Sequence, residues 1–347
     1  MTRWAVLGML TVLLALPMLA CGFPLPAGTE MMQLSEAACA EGETLDSCQM
    51  RQDAYQLMGK LRSAVVPDLN MRMFLRGGDQ RTEIAARGSF EYLVLPSRQG
   101  MGANLSAVLE EAWIADMTAT DTVENVLIRT VGDRIYASED DGATWHYQSL
   151  KSEDLLSLSI LLGLVHTTGI SLDLFSEPEL FSVTSGGTTS IDGQTMHVQT
   201  LTFDLPGLLT YPDLIDTLVT TNYDALAVLL EYGGSEWEDM SPEDLSLMLG
   251  IVLLLIEDSD LRTTLYIGAD DGYIHYFEER LEFLLVDESD PAAGTATFEY
   301  TLSGHVTQHN AALVVEAPPG AILGGGFFGS DFFGGGGPAL GDTLFGE

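Results

Sequence analysis

Val126-Leu127-Ile128-Arg129, Gly132-Asp133, Arg134-Ile135-Tyr136-Ala137, Asp141-Gly142, Thr144-Trp145-His146-Tyr147: within residues 126–147, three short apolar runs are separated twice by a glycine beside an aspartate. Such pairs accept the left-handed backbone of a tight hairpin turn, so the stretch reads as successive antiparallel strands. The same grammar returns downstream. Phe181-Ser182-Val183 runs through Gly186-Gly187 to Ile191-Asp192-Gly193 and then the alternating Met196, Val198, Leu201 and Phe203. Leu265-Tyr266-Ile267 turns at Asp271-Gly272 into Ile274–Val286, and Ala296–Val306 with Ala311–Ala317 reads as a final pair.

Upstream, Met71, Met73 and Leu75 alternate with Arg72, Phe74 and Arg76, and a turn at Gly77-Gly78 leads into the run Glu83–Leu95, where Gly88 suggests a bulge. Before that, Met31 to about Val66 reads as an entry helix. Ser47 is its expected cap, Tyr55, Met58, Leu61 and Val65 fall at helical spacing, and Pro67 is the expected stop. Three segments between the strands are helical. Ser152-Glu153-Asp154 opens a run from Leu155 to Val165; Ser241-Pro242-Glu243-Asp244 caps a run from Leu245 to Ile256; and Pro212–Tyr232 carries one or two helices. The first two are apolar almost all round yet too short to span a bilayer, so each must be covered on most of its surface.

The N-terminus places Arg3 before an apolar run from Trp4 to Leu16, followed by Pro17-Met18-Leu19-Ala20 and then Cys21. This is a secretory signal ending in a lipobox-like sequence, and cleavage before an acylated Cys21 is preferred over ordinary secretion or an uncleaved anchor. Residues 1–20 are then signal and residues 21–45 a lipidated tether, with the membrane reached through the acyl group. Cys39 and Cys48 are close in sequence and, in an oxidising compartment, form either a small disulfide loop or two free thiols; the disulfide is preferred. Residues 319–347, Gly-rich with pairs of Phe, read as a disordered tail.

A net charge of −37 with only 14 Lys and Arg argues against a nucleic-acid partner, because phosphate binding needs clustered bases. The chain is nevertheless 46% hydrophobic, more than an ordinary core requires. Candidate chemistry is thin. Ser138-Glu139-Asp140-Asp141-Gly142-Ala143-Thr144-Trp145 fits the Asp-box pattern, which describes a hairpin turn and occurs once rather than at a blade period. His305 and His309 have metal-ligand spacing but sit in a strand-and-turn context, no serine lies in Gly-x-Ser-x-Gly, and no EF-hand spacing is present. No catalytic set, metal or cofactor is implied, and the oligomeric state is not legible.

The order of these elements, from the lipobox cysteine and entry helix through Gly132-Asp133-Arg134-Ile135-Tyr136, Asp141-Gly142-Ala143-Thr144-Trp145, Ile191-Asp192-Gly193 and Leu265–Gly272 to Val314-Val315-Glu316-Ala317-Pro318, resembles the LppX/LprG type of lipid-carrier lipoprotein, related in fold to LolA/LolB chaperones. The resemblance covers about residues 46–318 and implies an α+β fold in which a strongly curved, unclosed antiparallel sheet wraps around apolar helices. It implies a lipid partner whose acyl chains occupy a cavity between sheet and helices. Cys21 alone carries over as a functional position. Cavity-lining candidates from the apolar helices are Leu155, Leu158 and Leu162; Leu214 and Leu218; and Leu245, Leu249, Val252 and Ile256. The departure is a helical insertion at about 212–260, which enlarges, closes or fills the cavity; a dry, packed core in a non-catalytic surface lipoprotein is the alternative.

Overall fold

A computed structural model of the chain describes residues 39–77, 80–94, 101–115, 118–131, 134–138, 140–149, 178–221, 241–286 and 295–323. In chain order the elements are α1 (Leu45–Gly59), β1 (Ser63–Gly77), β2 (Gln80–Val94), β3 (Met101–Ala115), β4 (Thr118–Val131), β5 (Arg134–Ser138) and β6 (His146–Ser149). There follow β7 (Phe181–Ile191), β8 (Gln194–Phe203), a 3-10 turn (Pro206–Thr210), α2 (Pro212–Thr221), α3 (Pro242–Leu255), β9 (Ile256–Gly268), β10 (Ile274–Val286), β11 (Thr295–His305) and β12 (Ile322–Leu323).

All the strands belong to one sheet in the order β12-β6-β5-β4-β3-β2-β1-β11-β10-β9-β8-β7. Every pairing is antiparallel except that of β12 with β6, and the terminal strands β12 and β7 do not meet. The architecture is therefore an α+β fold built on an unclosed antiparallel half-barrel. Register explains its two faces. Leu201, Thr263, Glu279 and Leu302 lie opposite one another along one cross-strand row, and Leu261, Leu281, Tyr300 and Met73 along the next. Because side chains alternate, these rows share one face, which we call inner. The other face carries arginines held by acids two residues away or on the next strand, as in Arg262–Asp260, Arg280–Glu282 and Arg72–Glu83.

The entry helix is shorter than expected. Thr44, not Ser47, is the N-cap, its hydroxyl accepting from the Ser47 N–H, and the helix ends at Gly59, leaving Leu61 and Val65 outside it. Pro67 does not stop a helix; it lies inside β1, where the register with β2 steps from Val66–Phe90 to Leu69–Gly88. Proline cannot donate to a ladder, and this bulge is where a strand tolerates it. The bulge expected at Gly88 is thus carried by the facing strand. Strand β3 had no counterpart in the sequence reading. The expected helical run to Ile256 ends one residue early, and Ile256 opens β9.

Ala311–Ala317 is not a strand either. Residues 306–321 form a strap joined to β1 by the Val65–Thr307 bridge, by Asn310 N–H donating to the Ser63 carbonyl, and by Ser63 Oγ donating to the Ala311 carbonyl. Arg129 then donates to the Glu316 carbonyl, and the strap ends as β12 on β6. All of β5 after Arg134 is buried, so both of its faces are covered.

Candidate functional site

Alternation on β8 to β11 delivers an apolar inner face: Leu201 and Phe203, Leu261 and Leu265, Phe277, Leu281 and Phe283, and Phe298, Tyr300 and Leu302 are all buried. Phe283 stacks on Phe298 with ring centroids 4.9 Å apart. At Gly304 a Cβ would meet the Phe277 ring and Val66 at 2.9 Å, so only glycine permits this approach. Burying aromatic rings of this size is the largest single stabilising contribution a sheet face can make.

Helix α1 packs at the β7, β8 and Gly272 end of this region. Ala54, Tyr55 and Met58 are buried, Leu57 reaches Gly272 beside β10, and Gln199 Nε2 on β8 donates to the Ser47 carbonyl at 2.9 Å. Arg51 is completely buried, forms an ion pair with Glu43 at 2.8 Å, and lies over the Phe181 ring at 5.4 Å. The signal for Arg51 was present: Arg51, Ala54, Tyr55 and Met58 are spaced i, i+3, i+4, i+7, which puts the charge on the packed face. Cys39 and Cys48 are joined in a disulfide with Cα atoms 5.4 Å apart, fixing the loop that carries Glu43. Among the described residues, Cys39, Glu43 and Cys48 are the one grouping with metal-ligand proximity. Its sulfurs are bonded to each other and its carboxylate to Arg51, so those atoms are already engaged.

Among the described residues, polar side chains interrupt the inner face. Gln199, Thr263 and Glu279 are each at most 2% exposed, and Thr263 faces Glu279 directly across β9 and β10. Among the described residues nothing bonds Gln199 Oε1 or Thr263 Oγ1. Sequence reasoning passed over Glu279, although the alternation Phe277, Glu279, Leu281, Phe283 assigns it to the apolar side.

Of the cavity-lining candidates, Leu245 and Leu249 are buried on α3, and Leu214 on α2 is half-buried. Leu218 and Val252 belong to α2 and α3, and Ile256 to β9. Cys21, Leu155, Leu158, Leu162 and residues 324–347 lie outside the described residues. Helix α3 opens with the expected cap, Asp244 N–H donating to Ser241 Oγ and Ser241 Oγ donating to Asp244. It packs on α2, the 3-10 turn and β9.

The Asp-box segment is a turn. Ser138 Oγ donates to Asp140, the N–H groups of Gly142 and Thr144 donate to Ser138 Oγ and Asp140 Oδ1, and Asp141 and Gly142 take positive φ. The Thr144 N–H and then the Ser138 hydroxyl lower the Asp140 pKa to about 2. His275 contacts Asp271 at 2.9 Å, and His309 stacks on Tyr273 with burial pushing its pKa down. The His275 nitrogen engages the Asp271 carboxylate in the turn before β10, and the His309 nitrogen engages the Ile274 carbonyl, which ties the strap to β10.

No protein-family model matches the chain, and no curated protein sequence matches it. Among solved structures, it is similar over 77% of its length to the lipoprotein LppX of Mycobacterium tuberculosis, covering 97% of that chain at 12% identity and a TM-score of 0.29. It is similar over 78% of its length to LprF of Mycobacterium bovis, covering 96% of that chain at 14% identity and a TM-score of 0.35. A DUF1329 family protein from Desulfovibrio piger aligns over 77% of this chain and 91% of its own, at 8% identity and a TM-score of 0.17.

Proposed function

We propose that this chain is a non-catalytic lipoprotein of the cell envelope, held to the extracytoplasmic face of the membrane through Cys21, that binds lipid acyl chains between the half-barrel and its apolar helices. The observation that carries this reading is a gradient of burial along one predominantly apolar face. On β8 to β11 the inner residues are buried, whereas Met71 and Met73, on the same face in β1, are only half-buried. An acyl chain placed over β1 and beside the apolar helices would complete their burial, at about 0.8 kcal/mol for each methylene removed from water. Methionine suits such a wall because its unbranched, polarisable side chain adapts to ligands of irregular shape.

In this reading Leu214, Leu245 and Leu249 stiffen the helical side of the cavity, with Leu155, Leu158 and Leu162 contributing from the other apolar segment. Native mass spectrometry of the mature protein, purified without its anchor, is the test. The account expects a co-purifying lipid that exchanges with added fatty acid. A homogeneous apo mass with no uptake of a fluorescent fatty acid would overturn it.

The sealing of β8 to β11 favours a second reading, a surface lipoprotein with a filled core. The two differ in what happens over β1.

A further inference from the structure

Helix α3 has two apolar faces, and among the described residues only one is packed. Leu245, Leu249 and Leu253, spaced i, i+4, i+8, are 1 to 2% exposed. Leu247 and Leu254, seven residues apart on another face, are 67% and 70% exposed. Ile251 lies between them and is half-buried, and a Cβ built on Gly250 meets nothing within 4 Å. Leu247, Gly250, Ile251 and Leu254 thus form an open apolar stripe along a helix with acids in its first turn, Glu243 and Asp244. A water-facing helix normally turns polar residues outward.

We propose that this stripe is the surface by which the protein touches a lipid bilayer, inserting Leu247, Ile251 and Leu254 at the interface of a zwitterionic membrane. This rests on the lipid-binding reading above. Charge chooses the occupant. No Lys or Arg occurs between Lys151 and Arg262, and Glu257 and Asp258 follow the helix whose first turn carries Glu243 and Asp244. Anionic headgroups are therefore repelled at both ends of the stripe. A second copy of the chain is disfavoured too, because each carries a net charge of −37 and would bring the same acids to the contact. Among lipid surfaces a neutral headgroup layer is therefore favoured, with contact made by apolar insertion. Residues 22–38 between the proposed anchor and Cys39 span up to about 55 Å when extended, so the anchored domain remains within reach of that surface.

Flotation of the full mature chain carrying Cys21→Ser, which removes the anchor, with phosphatidylcholine or phosphatidylglycerol vesicles tests the proposal. Binding to phosphatidylcholine and at least tenfold weaker binding to phosphatidylglycerol at low salt are expected. Leu247→Asp/Leu254→Asp should weaken the phosphatidylcholine association at least tenfold with an unchanged melting temperature, since both side chains are already in water. Gly250→Trp fills open space on the stripe; it should strengthen binding several-fold and shift tryptophan emission to the blue. Equal binding by the double Asp variant overturns the proposal, as does absence of vesicle binding by the parent. So does a dimer in sedimentation that the Asp variant dissociates, or a lowered melting temperature showing that the stripe is packed. Fatty-acid uptake from solution, measured without vesicles, separates the two claims: its loss in the parent counts against lipid carriage, whereas its retention beside failed flotation counts against docking alone.

Discussion

The inner face of the sheet has two walls built to different standards. On β9 to β11, Leu261, Leu265, Phe277, Leu281, Phe283, Phe298, Tyr300 and Leu302 are at most 2% exposed, and α1, held by a buried ion pair and a disulfide, packs at the neighbouring β7, β8 and the start of β10. On β1 the first half is covered too, Val66 and Leu69 being buried, but Met71 and Met73 further along continue the same rows and are only half-buried. Alternation is the same on both walls, so what distinguishes them is how far each is covered. Packing at interior density makes the first wall a foundation, and the second is the part of the face with area left to bury. In the proposed reading, the first wall serves stability and the second is where a ligand would be held.

The largest expected effects belong to the foundation. Phe283→Ala should cost about 3 to 5 kcal/mol in urea unfolding, whereas Met73→Ala should cost under about 1.5 kcal/mol. Equal losses would erase the distinction between the walls. Arg51→Ala leaves Glu43 buried without its ion-pair partner and should cost about 3 to 5 kcal/mol. Replacing both Cys39 and Cys48 by Ala should cost less, about 2 to 3 kcal/mol, because the closed loop is short, and should leave the sheet intact by circular dichroism. The smallest effect lies far from either wall. Asp140 has its pKa lowered from 3.8 to about 2, so its contribution is present above the ordinary value and is lost as pH falls through about 2. Asp140→Asn should flatten the acid limb of the stability curve while leaving lipid uptake unchanged.

Strand pairs joined by Asp-Gly turns were legible because the turn chemistry and the alternation agree, as at Ile191-Asp192-Gly193 and Asp271-Gly272-Tyr273-Ile274. Strand β3 was not. Its residues include Ala103, Ala107, Ala112 and the pair Glu110-Glu111, all of low strand preference, and the neighbours β2 and β4 impose extension on them. The overlong entry helix has a similar cause: Leu61 and Val65 keep helical spacing by coincidence, and Pro67, read as a stop, is accommodated at a bulge that only pairing with β2 defines. At the site, the apolar helices Pro212–Thr221 and Pro242–Leu255 were visible as composition and capping. Which of their faces is covered was not, because Leu245 and Leu247 are chemically identical and only tertiary contacts separate a buried one from an exposed one. Arg51 and Glu279 were legible in principle, each standing at an apolar position of its period.

The central claim is that acyl chains lie against β1 and not against the sealed wall. Cross-linking of a fatty acid bearing a photoactivatable group along its chain, followed by peptide mapping of the anchor-free protein, reads this directly. The account predicts adducts on the segment containing Met71 and Met73 and none on Phe277–Phe283. Adducts concentrated on Phe277–Phe283, or a protein that takes up no label at all, would contradict it.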